Sequence, residues 1–489
     1  MAAYSLQITQ LNARWLAKKF SNVEGFNSAA ISTGISALQH IPTRLSPNPA
    51  LLPSLIVLPQ NGVYWGTLLR SARKIRRWSI PIIVNFIWVL LSGLLTTIDT
   101  FSTPVPGEIG YAIVTTLAYL LPLTIGWLHV GSEPETNHLK ESLEEANKIA
   151  RVAVGKGEEP VLATRLTEQP NRAIEIVKEE DVDFARRDEL KTNPVYNYSR
   201  VFAWSQTAET IYRLTRNAAV KAEMGFRVGS EPPTVNGLGA NVETKGQNWA
   251  VHEVIRYCGV EYIQSEKTSG TPHPGVLSSP GPSTSHSTAA DLPLPFHADH
   301  TEIQEPALWA EGVGGRVVLA ACLSLGLQWG TTGAGLLIYY EMHPVGLGCR
   351  TTSLLIYGVL GTLSFLLLLA SSVLAHLSRP PPGWRYRYSR LRSFQETGAI
   401  LCRWLGKVLA LIAGLGILVI SLIQPLGMFD NCWCSTRTFD RPAQAVAFMT
   451  GNFISQWGVF KYWVGGLAMA FATTSLFGLS IYFGTPRVR

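Results

Sequence analysis

Long apolar stretches punctuate this chain, and their length settles the first question. A hydrocarbon core about 30 Å thick takes about 20 apolar residues at a helical rise of 1.5 Å. Six stretches meet that test: residues 80–98, 109–130, 315–340, 353–376, 400–423 and 462–483. Away from their ends they hold two charges, Arg403 and Lys407. A helix satisfies its own backbone hydrogen bonds in lipid. The pattern therefore predicts an all-α, polytopic helical membrane protein with six transmembrane helices.

Shorter patterns fill the remainder. Within residues 6–20, Leu11 and Trp15, then Leu16 and Phe20, recur at helical spacing beside Arg14, Lys18 and Lys19. Such a helix either lies on a membrane surface or packs on protein. The apolar run at 51–58 is too short to span and carries Pro53, with Pro59 following; it is expected at a surface or re-entering the membrane. Between the second and third stretches, Leu139, Leu143, Ala146, Ile149, Ala150 and Ala153 form a helical stripe. Two more helices are expected over 201–223 and 249–263. From 268 to 306 the chain is rich in Ser, Pro and Gly with almost nothing apolar to bury, and disorder is expected. Thr271-Pro272 and Ser279-Pro280 match proline-directed kinase sites, but this composition produces such dipeptides unaided.

These elements divide the chain into an N-terminal cytoplasmic or membrane-surface segment (1–79), transmembrane helices 1 and 2 (80–130), an acidic cytoplasmic helical region (131–267), a disordered linker (268–306), transmembrane helices 3 to 6 (307–483) and a cytoplasmic tail (484–489). Arg and Lys gather before the first stretch and between the fourth and fifth, while the turn at 99–108 has none and the connection between the third and fourth has only Arg350. That asymmetry predicts a multi-pass protein of the plasma membrane or an endomembrane with both termini cytoplasmic. Only 15% of the residues are charged, against about 25% in soluble domains, which excludes an ordinary cytosolic enzyme. The insertion 131–313 carries 27 of the 34 acidic and 18 of the 41 basic residues. The chain's net +7 thus belongs to the membrane flanks, where the bilayer and the anionic lipids of its cytoplasmic face are the natural partners. Nucleic acid is not expected to be one.

Candidate chemistry is sparse. Cys349, Cys432 and Cys434 all fall on the side expected to face away from the cytoplasm, where disulfides persist. Cys349 bonded to Cys432 or Cys434 would tie two outer loops together; unpaired thiols, or a metal site completed by His343 on a reducing side, are the alternatives. The third stretch carries Gln328, Thr331 and Thr332 among glycines, with Gly326 and Gly330 at the spacing that lets helices approach closely, and the fifth puts Gly406, Ala410 and Gly414 on one face. Gln328, Thr331 and Thr332, with Asn85 and His129, would line a polar path for a solute; tight helix packing is the plainer reading. Central Asp, Glu or Lys relay groups are missing from the stretches. So are a Gly-x-Ser-x-Gly elbow, a phosphate-binding loop and a His-Glu-x-x-His pair. No catalytic residue, metal site or cofactor is expected, and the chain is not expected to be an enzyme.

The segments Gln328-Trp-Gly-Thr-Thr-Gly333, Val345-Gly-Leu-Gly-Cys-Arg350, Leu355-Ile-Tyr-Gly358 and Asp430-Asn-Cys-Trp-Cys434 resemble those of a group of uncharacterised multi-pass integral membrane proteins of fungi. The resemblance covers mainly residues 314–483. It implies the multi-pass topology and the outer cysteines, and carries over no catalytic or binding residue. The expected function is a non-enzymatic membrane scaffold or sensor-like protein that recruits a cytosolic protein partner through its long loop. The alternative is a facilitative transporter or channel lined by Gln328, Thr331 and Thr332.

Overall fold

The structure, a computed structural model, describes residues 1–73, 118–130, 136–155, 158–166, 171–192, 194–226, 250–259, 309–341, 346–378, 390–423 and 456–484, with positions 83, 84, 87, 91, 115 and 116. Most of the first apolar stretch, part of the second, the Ser/Pro/Gly-rich linker, Asn85, Cys432, Cys434 and His343 lie outside the described residues.

The described chain is helical. Four helices are long and apolar enough to cross a membrane. In chain order the helices are α1 (Ala2–Phe20), α2 (Ser28–Ala37), α3 (Leu51–Val57), α4 (Gly62–Arg73), α5 (Leu120–Val130), α6 (Thr136–Ile149), α7 (Arg187–Lys191), α8 (Val201–Glu223) and α9 (Val251–Tyr257), then the long α10 (Val313–Glu341), α11 (Cys349–Leu377), α12 (Arg390–Ile423) and α13 (Gln456–Gly484). The expected stripes at 139–153 and 201–223 become α6 and α8, and their apolar positions Leu139, Leu143, Ala146, Trp204, Ala208 and Ile211 are buried.

Residues on both sides of the first two apolar stretches share one core. Leu16, Ile31, Leu52, Trp65 and Leu68 pack in the same cluster as Leu139, Leu143, Trp204, Ile211 and Val254. Two-stranded antiparallel ladders reinforce it. The first pairs β1 (Thr43–Leu45) with β4 (Ile174–Ile176), Arg44 opposite Glu175, and joins their side chains at 3.1 Å. The second pairs β2 (Arg151–Val152) with β3 (Val161–Leu162). Asn61 knits the two halves like a borrowed peptide group. Its Nδ2 donates to the Arg151 carbonyl at 2.9 Å and its Oδ1 accepts from the Arg151 amide at 2.8 Å.

The run at 51–58, expected at a surface, is instead α3 with all seven of its residues buried in this core. Asn48 Oδ1 accepts from the Ala50 amide at 3.0 Å just before the helix. Pro59 forces Leu58 into extended backbone and ends it. A short helix apolar on every face is a core helix once it is surrounded.

Small residues set the packing of the long helices. A Cβ at Gly330 of α10 would overlap Thr473 of α13. One at Gly466 would stand 2.7 Å from Ile338, one at Gly406 of α12 2.9 Å from Leu368 of α11. Ser364 and Ser371 of α11 donate to the carbonyls of Gly406 and Ala399 at 2.8 and 2.7 Å. Between these helices and the core shared by residues 16–68 and 139–258 runs α1. Its C-terminal residues Leu16 and Phe20 join that core. Its N-terminal residues enter the bundle, Tyr4 against Phe365 with ring centroids 5.5 Å apart and Leu6 among Leu123, Leu327, Phe477 and Ile481. Of the two readings of the 6–20 segment, the structure has the one packed on protein.

Candidate functional site at the junction of core and bundle

Of the expected polar path, Gln328, Thr331 and Thr332 are described with their side chains, and all three are spent on helix contacts. Gln328 Nε2 donates to the Gly358 carbonyl of α11 at 3.1 Å. Thr331 is fully buried and bonds back to the Leu327 carbonyl at 3.0 Å. Thr332 is buried with its methyl against Gly358. The neighbouring Trp329 Nε1 donates to Thr362 Oγ1 at 3.0 Å. His129 belongs to α5, but its side chain lies outside the described residues, as Asn85 does entirely. The small-residue pair Gly326 and Gly330 does not act as a unit either: a Cβ at Gly326 meets nothing within 4 Å.

Cys349 starts α11 and is disulfide-bonded. Cys258, Cys322 and Cys402 are free. Burial pushes the Cys258 thiol up to about 12, which leaves it protonated and inert. No cluster of three His, Cys, Asp or Glu able to hold a metal occurs among the described residues.

The polar chemistry lies where the insertion meets the long helices. The 3-10 turn Phe184–Arg186, α7 and the kinked turn Pro194–Ser199 form a lobe seated on α11 and α12. Asp188 is its centre. Its carboxylate accepts from Lys407 Nζ at 2.7 Å and from the Tyr198 hydroxyl at 2.6 Å, with Arg403 Nε at 3.8 Å. Arg403 Nη1 also donates to the carbonyls of Phe184 and Ala185 at 3.1 and 3.2 Å. Thus the two charges inside the apolar stretches are both answered by one short segment of the acidic loop. Burial, then the Asp188 charge, hold the Tyr198 phenol well above its ordinary range, so it remains a donor to Asp188. Arg200 is buried beneath, donating to the carbonyls of Glu189 and His40 at 2.6 and 3.1 Å and to that of Thr192. Burial draws it down to about 10 against the opposing pull of Glu189, Asp188 and Tyr198; it stays cationic. Ser372 of α11 closes the lobe by donating to the Tyr198 carbonyl at 2.9 Å.

A second polar seam follows α1. Gln7 Nε2 donates to Ser480 Oγ of α13 at 2.7 Å, and Gln10 to the carbonyls of Ser480 and Ile481. Arg316 of α10 donates to Asn12 Oδ1 at 2.9 Å and stacks 4.1 Å over the Trp15 ring. Lys19 pairs with Glu209 of α8 at 3.0 Å and with Glu311 at 2.6 Å. Along the same helix Tyr4 Oη, Ser5 Oγ, Gln10 Oε1 and Asn12 Nδ2 are buried without a hydrogen-bond partner among the described residues. Neither seam was visible beforehand. The pairs join residues 219, 473 and 304 positions apart, and no local spacing marks them.

What this arrangement does is hold. Comparison with protein-family models, with curated proteins and with solved structures finds no match in any of the three.

Proposed function

We propose that this chain is a non-enzymatic integral membrane scaffold or sensor-like protein whose folded core, built from the N-terminal segment and the long insertion, recruits cytosolic protein partners. The observation that carries this reading is the Asp188 seat. A loop that merely connected two spans would not place a carboxylate on the charges Arg403 and Lys407 and thread an arginine among its own carbonyls and that of His40. The seat holds the core in a fixed position on the bundle, which suits a display platform. Of the residues that would have lined a solute path, Gln328, Thr331 and Thr332 are consumed by packing between helices.

On this proposal the chain is multi-pass, with both termini and the core cytoplasmic, anionic lipids around its basic flanks, and a membrane hairpin within residues 74–135. A core shared by residues 16–68 and 139–258 supports the hairpin, since the connecting chain must cross an even number of times. Cys349 then faces the oxidising side, where Cys432 and Cys434 are its candidate partners.

A second reading, a facilitative transporter or channel, draws support from the unpartnered polar face of α1 and not from Gln328, Thr331 and Thr332. Buried polar groups without partners are costly and accumulate at working sites. Proteoliposomes holding the full chain separate the two. The scaffold reading expects no entry of small neutral solutes above empty liposomes, together with cross-links from exposed Glu144 and Glu145 of the core to a cytosolic protein in native membranes. Solute flux that falls when Gln10→Leu is introduced, with no such cross-links, would overturn it in favour of transport.

A further inference from the structure

We infer that the segment from Phe184 to Lys191 is a membrane anchor within the insertion, seated in the phospholipid headgroup layer beside α12. This rests on the reading that α12 crosses a bilayer. Counting about 20 residues back from Ile423, the length a hydrocarbon core requires, puts the boundary near Trp404. That residue is 67% exposed, and tryptophan is the residue of such boundaries. Around it Leu401, Leu405 and Val408 are exposed too, a face that only lipid suits.

The insertion reaches this level of α12 and no polar layer separates them. Arg403, one residue before Trp404, holds the Phe184 and Ala185 carbonyls at 3.1 and 3.2 Å. Lys407 lies one turn deeper and reaches back to Asp188 at 2.7 Å, as a lysine stem does when its ammonium seeks the interface. Phe184 therefore stands at the boundary with 51% of its surface uncovered. Guanidinium groups stand over the ring: Arg187 at 4.6 Å and Arg403 at 5.4 Å from its centroid. An aromatic ring at the hydrocarbon edge, stacked by an arginine that still offers donors to a phosphate, fits a phospholipid better than water. Asp188 is essential to the arrangement because it neutralises Lys407 as the segment enters.

The test uses the full chain in liposomes of phosphatidylcholine and phosphatidylserine, with p-benzoylphenylalanine replacing Phe184, Leu401 or Met224 one at a time. Met224 is 67% exposed at the end of α8 and serves as the aqueous reference. After irradiation, mass spectrometry counts phospholipid adducts. Adducts at 184 and 401 several-fold above those at 224 are expected. Adducts at 401 with 184 no higher than 224 would overturn the anchor alone. If 401 is no higher than 224, the bilayer setting of α12 fails and the anchor with it.

Discussion

A charged side chain inside an apolar helix must find a counter-charge or leave the membrane, and Arg403 and Lys407 do the first. The same rule, turned inside out, governs His40. It is buried in the core, where desolvation and then the nearby Arg200 charge lower its pKa from 6.5 to about 4. The folded state thus refuses a proton that the unfolded chain accepts, so stability falls as pH drops below about 6.5 and the loss levels off near 4. Its full size is on the order of 3 kcal/mol at the low end of that window. Thermal unfolding of the detergent-solubilised protein between pH 7.5 and 4.5 should show that decline. His40→Gln should flatten the part lying between the two values; an unchanged slope would remove His40 as its source. Sequence reading found Arg403 and Lys407 because charge in an apolar run is conspicuous. Asp188 and His40 were hidden for the opposite reason, since an acid in an acidic loop looks solvated and a lone histidine has no period to place it until tertiary structure encloses them.

Elements declare themselves when their pattern is long and their packing face is regular. The four long helices, α6 and α8 met both conditions, and their stripes and lengths were legible. α3 met neither, because five aliphatic residues around Pro53 and Ser54 have no period from which to infer a partner. Glycine spacing was half legible: Gly330 is a contact point, Gly326 and Gly414 are not. Close helix approach depends on which neighbour arrives, not on the motif alone. A paired substitution exposes the difference. Gly330→Ala drives its Cβ into Thr473 and should cost about 1–3 kcal/mol through displaced helices. Gly414→Ala meets open space and should be neutral or gain up to about 1 kcal/mol of helix propensity. Thermal aggregation midpoints in one detergent would rank them, and equal midpoints would contradict the α10–α13 contact.

At the scale of the whole molecule, the N-terminal segment and the insertion, expected as separate regions, share a single core, with the β1–β4 ladder and the Asn61 clasp crossing between them. A core cannot straddle a bilayer, so tags placed near exposed Glu24, beside the core residues Phe20 and Ile31, and near Ser283 should be digested by protease together or protected together in sealed vesicles. One digested and one protected would break the shared core outright. The Asn197-Tyr-Ser199 triplet, the chain's one acceptor pattern for N-glycosylation, is poorly placed as a sidedness marker. Asn197 is buried, and its Nδ2 lies 3.5 Å from Thr9 Oγ1.

The bond between Gln7 and Ser480 spans 473 positions, and that separation sets an order of events during synthesis. At about 5–20 residues per second, α1 waits roughly 25–95 s after leaving the ribosome before α13 exists to receive it. For that interval Leu6, fully buried in the finished protein, lacks its neighbours Phe477 and Ile481 of α13. The first helix is thus among the last to complete its contacts, because its polar bonds to α13 wait for the last helix to be made.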